Sequence, residues 1–211
     1  MVVVGRVSGS HRAWKRPHLQ RALETAVAEA EVLAPATQPL TPTPGDEVCG
    51  AYAHAGTAAL AVLLVRLALL DAGGDLHAGL ALDDWRAARR AVQTAEAHAT
   101  SPRSRTARTW LDAGTSGGWV DAVNAHLLLR DELVTRMSPR ARRLLAHHLR
   151  GRSQADAAHH EGITQPAVSQ ALARSGAHAV VRATELLRRT GPAPVGEGER
   201  VLAGSLRCRG D

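Results

Sequence analysis

The chain has 211 residues, room for one large domain or two small ones, and an apolar share of 45% that supports a real core. Aromatic residues make up 2% and Phe is absent, which argues against modules that stack single-stranded DNA or RNA bases on aromatic platforms. The formal net charge is +6, almost all of its basic side chains are arginine, and two cysteines without paired spacing (Cys49 and Cys208) suggest neither a zinc site nor a disulfide framework.

The opening segment MVVVGRVSGS lacks the basic head and longer apolar run of a signal peptide, and reads as a buried strand over 1–7. A helix is expected from Pro17 to Leu33, with Leu19, Leu23, Val27, Ala30 and Leu33 at helical spacing. The segment APATQPLTPTP (34–44) is Pro-rich and extended, with an edge strand around Gln38–Pro42. Gly45-Asp46 makes a turn, and Glu47–Tyr52 returns as the partner strand. Ala55–Asp71 is a strongly apolar helix. Its most apolar run, Ala58 to Leu70, is broken by Arg66 and is too short to cross a bilayer of about 30 Å. Asp75–Leu82 alternates as a strand, and Trp85–His98 is helical. The order is β-α-β-β-α-β-α, a ferredoxin-like split βαβ unit. Residues 99–117 form a polar linker, and a helix runs from Gly118 to Met137.

The densest information lies in residues 138–190. Ser138-Pro139 caps a helix, SPRARRLLAHHLR, with Leu144, Leu145 and Leu149 on one stripe. Then comes GRSQADAAHHEGITQPAVSQALARSG (151–176), which reads as a helix-turn-helix. Ser153 caps the first helix, Gly162 sits where a left-handed backbone is cheapest, and Thr164 and Pro166 open the second helix. Val168 and Leu172 face inward with Ile163. Gln165, Ser169, Gln170 and Arg174 remain on the outer face, where a major groove offers a donor and acceptor code to Gln and Arg. The helix GAHAVVRATELLRR completes a three- or four-helix module, and residues 191–211 form a loose tail.

Charge points to the same module. Residues 138–190 hold nine arginines (140, 142, 143, 150, 152, 174, 182, 188 and 189) against Asp156, Glu161 and Glu185, whereas the rest of the chain is balanced. The whole formal excess therefore lies where phosphates would be met. The expected DNA-facing residues are Gln165, Pro166, Ser169, Gln170 and Arg174 on the second helix, with Thr164, Ser153 and Gln154 at the helix starts and Arg150 and Arg152 holding the phosphate backbone. The histidine pairs His147-His148 and His159-His160 point apart on their helices, so neither is a ready chelate; a metal shared by His148 and His160 is the weaker alternative to solvated side chains.

The segments VVVGRVSGS (2–10), HLQRALE (18–24), PGDEVCG (44–50), the long block 122–172 and the following SGAHAVVRATELL resemble the SatD family over most of the chain. The resemblance implies a cyclase-like, ferredoxin-fold front domain joined to a C-terminal helix-turn-helix, and a DNA-binding regulator. It also exposes departures. The family's first strand carries an Asp in a segment like I-G-D-I-V-G-S, where this chain has Arg6. Related nucleotide cyclases hold two metals between that Asp and one on the hairpin; here Asp46 and Glu47 alone remain, and Arg6 is expected to pair with one of them. The usual Phe-Gln after the Asp-Glu pair is replaced by Val48-Cys49.

The sequence therefore predicts an α+β protein. A degenerate cyclase-like domain over 1–98 is followed by a linker (99–117), a connecting helix (118–137), an all-α helix-turn-helix domain (138–190) and a tail (191–211). The expected function is a non-enzymatic, cytoplasmic transcriptional regulator with no cofactor and no metal. Its partners are double-stranded DNA and a second copy of the chain, met through Ala55–Leu70 or Gly118–Met137, and no membrane; a small-molecule or nucleotide effector is left open. Two other readings stay open: a nucleotide-binding or cyclase-like enzyme with a regulatory tail, and a sigma-factor-like protein working within polymerase.

Overall fold

The computed structural model describes residues 1–9, 16–43 and 46–190; the tail expected at 191–211 and the Gly45 end of the hairpin turn lie outside the described residues. The chain is α+β. In order it forms β1 (Val2–Ser8), α1 (Arg16–Leu33), β2 (Gln38–Thr43), β3 (Glu47–Ala51), α2 (Ala55–Asp71), β4 (Asp75–Ala81), α3 (Trp85–Thr100), β5 (Thr109–Asp112), α4 (Gly118–Arg136), α5 (Pro139–Leu149), α6 (Gln154–Glu161), α7 (Gln165–Ser175) and α8 (Ala177–Arg189). None of the described helices is long and apolar enough to cross a membrane.

The five strands lie in the order β2-β3-β1-β4-β5. Neighbours among the first four are antiparallel, and β5 runs parallel to β4. Strand alternation sends successive side chains to opposite faces. Val3 and Val7 of β1, Val48 of β3, and Leu76, Ala78 and Leu80 of β4 share one core with α1 and α2. Val2 and Val4 face the other way and pack with Cys49, Ala81 and the α3 residues Ala88 and Val92. Helices thus cover both faces. The approach of α3 is close enough that a Cβ on Gly79 would meet the Ala88 carbonyl oxygen and the Val92 nitrogen, at 2.0 and 2.5 Å. Cys49 is buried and is not a free thiol, which departs from the absence of a disulfide that the cysteine spacing suggests.

Strand β5 falls inside the span read as a linker. It is four residues long, Thr-Trp-Leu-Asp, and buries Thr109 and Leu111 while the residues around it are mostly polar. Its hydrogen-bond partner β4 holds it, together with Asn124 of α4, which accepts from the Leu111 nitrogen at 2.8 Å and donates to the Leu111 carbonyl at 3.0 Å.

The rear helices are also less separate than expected. Leu63 and Leu67 of α2 belong to the same core as Leu144, Leu145, Val168, Leu172 and Val180. A Cβ on Gly56 of α2 would lie 2.5 Å from the backbone of Leu187 and Arg188, so α8 rests directly on α2.

A buried ionic cluster fixes α4 at this junction. Arg66 is fully buried; it donates from Nε to Asp75 at 2.8 Å, from Nη1 to Asp131 at 3.1 Å and from Nη2 to the Thr135 hydroxyl at 2.9 Å. Arg130, 2% exposed, donates to Asp131, to the Ala59 carbonyl and to Thr109. Arg108 donates its backbone N–H to Asp131 at 2.8 Å and its Nε to Asp75 at 2.7 Å. Burial alone would raise the Asp75 carboxyl, but Arg66 and Arg108 outweigh it and hold it below the usual carboxylate range. The arginine that breaks the apolar run of α2 is therefore the centre of a satisfied network.

Candidate nucleic-acid interface

Helices α6 and α7 are short, and their ends are set by side chains. Ser153 opens α6: its hydroxyl accepts from the Asp156 nitrogen at 3.0 Å and donates to the Asp156 carboxylate at 2.6 Å. Those bonds hold the Asp156 carboxyl below its ordinary pKa. Gly162 ends α6 at φ 62, in the left-handed region that a glycine adopts without a Cβ clash. The Ile163 nitrogen then reaches back to the Ala158 carbonyl at 3.0 Å, the pattern of a Schellman-type stop. Thr164 and Pro166 start α7, although the Thr164 side chain makes no capping bond.

Val168 and Leu172 are each 1% exposed and anchor α7 in the rear core, with Ile163 packed against it. Gln165, Pro166, Ser169, Gln170 and Arg174 are exposed, as are Thr164 and Arg152; Gln154 is half-buried. The exposed face of α7 contains no acidic residue. Such a face can donate and accept hydrogen bonds toward base edges and carries no charge that would repel phosphate.

One expected contact residue is placed differently. Arg150 turns toward α1, where its Nη2 meets Glu29 at 2.6 Å, so it is not a free phosphate ligand. Ser153 has its hydroxyl engaged with Asp156. Sequence reading also missed Arg143 and Glu161. Arg143 makes a two-pronged bond to Glu161, with both distances 2.8 Å, and reaches Asp71 of α2 at 3.3 Å. This clamp ties the α6–α7 turn to α5 and the front of the molecule. Arg143 also holds the Glu161 carboxyl below its ordinary range. The signal was an Arg and a Glu 18 residues apart, a separation that carries no local periodicity.

On the sheet, β1 pairs with β3 so that Arg6 faces Glu47. Arg6 Nη2 meets Glu47 at 3.1 Å, and Nη1 meets both oxygens of Glu96 on α3 at 3.0 Å. Burial opposes the Arg6 charge, but Glu47 and Glu96 more than offset it. The expected partner is found and a second, ninety residues away, is added. Asp46 stands in the left-handed region at φ 63 and its carbonyl accepts from the Val7 nitrogen at 2.8 Å.

His160 lies against His147, with ring centroids 5.1 Å apart, rather than against His148, whose neighbour is His178. No group of three potential metal ligands occurs among the described residues. Of the two helices considered for contact with a second copy, α2 is buried by its own chain, whereas α4 exposes Leu129 at 68%. No protein-family model, no curated protein and no solved structure matches this chain.

Proposed function

We propose that the protein is a DNA-binding transcriptional regulator of the kind the SatD resemblance implies: a ferredoxin-like, cyclase-like front domain without catalytic function, followed by a helix-turn-helix. One observation carries the reading. Helix α7 is anchored by Val168 and Leu172 and presents Gln165, Ser169, Gln170 and Arg174 together on an acid-free outer face. Two others support it. The order β2-β3-β1-β4 with antiparallel neighbours is that of a ferredoxin-like unit. At the hairpin the Arg6 guanidinium occupies Glu47 where a cyclase would place metal, and a cation would be repelled there. A dimer formed through the Leu129 face of α4 would give two reading helices, which raises affinity and specificity.

Selection of bound duplexes from a random pool tests the reading. The expected result is an enriched common sequence, with affinity that falls linearly on a logarithmic salt scale. Recovery of no duplex sequence, or of DNA bound only when polymerase is added, overturns it. Nucleotide turnover with magnesium or manganese would overturn the non-catalytic assignment.

A further inference from the structure

A cleft of about 650 Å³ opens between α1 and the pair α5–α6, within the size range of small-molecule sites. Its walls are rich in cations. Two of them are neutralised internally: Arg143 by Glu161 and Asp71, and Arg150 by Glu29. Three others, Arg21 from α1, Arg142 from α5 and Arg152 before α6, have no carboxylate within ion-pair distance among the described residues, although Arg152 lies near enough to Asp156 to help hold its carboxyl low. Arg21 and Arg142 each use Nε on a backbone carbonyl, of Pro17 and Met137, and their terminal nitrogens make no hydrogen bond among the described residues. Arg152 touches the His147 ring at 3.4 Å. The Nε of Arg150 is buried without a hydrogen-bond partner among the described residues. His147, 7% exposed, is pushed below its ordinary pKa by burial and then by Arg152, His160 and Arg150, so a proton there is already disfavoured by positive charge.

Surplus positive charge in a concavity, with an orphaned buried donor, is the arrangement that an anion completes. Guanidinium groups match phosphate oxygens in pairs. A duplex is too wide to enter so small a cleft. We infer that the cleft between α1 and α5–α6 binds a small phosphate-bearing anion through Arg21, Arg142 and Arg152. Such a ligand would bridge the front half to the segment that ends at Glu161, immediately before the α6–α7 turn. Its use as an effector of DNA binding rests on the function proposed above; its binding does not.

Calorimetric titration of the full chain with inorganic pyrophosphate at low salt tests the site. Saturable binding is expected, weakened about tenfold by Arg21→Gln and by Arg142→Gln, with the unfolding midpoint of each variant unchanged. ATP binding more tightly than pyrophosphate would identify a nucleotide source, and equal binding would identify phosphate alone. No saturable heat, equal affinity in both variants, or citrate binding as tightly as pyrophosphate overturns the site. If Arg21→Gln and Arg142→Gln weaken duplex and pyrophosphate alike, these side chains are DNA backbone contacts and the small-anion site is wrong. Pyrophosphate binding in a chain that selects no duplex leaves the site standing and removes the regulator.

Discussion

Arg66 and Arg130 in the front half are sealed from water at 0% and 2% exposure, whereas Arg152 and Arg174 in the rear half lie open to it. The buried pair is surrounded by Asp75, Asp131, Thr109, Thr135 and the Ala59 carbonyl. No carboxylate lies within ion-pair distance of the open pair among the described residues, and residues 138–190 hold only three acids for nine arginines. The same side chain is therefore structural where the fold supplies its counter-charge and available where it does not. A positive excess that the chain does not neutralise is a statement about an external anion.

The largest loss is expected from removing the acid that Arg66 and Arg130 share. Asp131→Ala leaves two buried guanidinium groups without their common acceptor, and a loss of about 3–5 kcal/mol in urea unfolding is expected. A loss under about 1 kcal/mol would mean that water or repacking replaces Asp131, and that the cluster is not what holds α4.

Gly56 tests whether the two halves are docked as closely as α8 on α2 suggests. A methyl there meets backbone atoms of Leu187 and Arg188 at 2.5 Å, and backbone yields only if α8 moves. Gly56→Ala should cost about 1–3 kcal/mol, with faster amide exchange concentrated in α8. Unchanged exchange in α8 would sink the docked arrangement.

This junction also marks where sequence reading stops. Strands β1 and β4, helices α1 to α8, the start of α6 at Ser153 and its stop at Gly162 were legible because periodicity, capping residues and a left-handed glycine are local signals. The outer face of α7 was legible for the same reason: Val168 and Leu172 fix which side is in. Strand β5 was not, since four residues in a polar stretch carry too short an alternation. Neither was the role of Arg66, whose acceptors lie 9, 65 and 69 residues away. Arg150 shows the cost of stopping at local pattern. Its position beside α6 suggested a phosphate contact, and Glu29, 121 residues earlier, takes its guanidinium instead.

On the open side, Gln165→Ala and Gln170→Ala should each cost about 1–3 kcal/mol on the selected duplex and little on random DNA. Gel-shift titrations on both duplexes measure it. Equal loss on both would make these side chains backbone holders, and no loss on either would remove α7 as the reading helix.

Acid acts on both regions through protonation of buried and half-buried histidines. His77, His126 and His147 all have depressed pKa values, His126 down to about 4, with burial the leading cause for each. The unfolded chain then binds protons that the folded chain does not, from the ordinary histidine value of about 6.5 downward. Stability should be full above pH 7 and fall as pH drops toward 4, with the unfolding midpoint moving down. Replacing His126 with Gln should flatten that slope most. A midpoint that is flat or rises between pH 7 and 5 would show that these rings are protonated in the fold.

The smallest effect expected on folding belongs to Arg174. It is exposed on the last turn of α7 and forms no ion pair among the described residues, so Arg174→Ala should change unfolding free energy by less than about 0.5 kcal/mol. Its positive charge does sit favourably at the helix C-terminal end, which argues for a slight loss rather than none. The same substitution should act on DNA. If Arg174 holds a phosphate, affinity falls on every duplex and the logarithmic salt slope drops by about one. If it reads a guanine, the loss is confined to the selected sequence and the slope changes little. A large loss of stability would mean that Arg174 is structural after all, and would erase the contrast with Arg66.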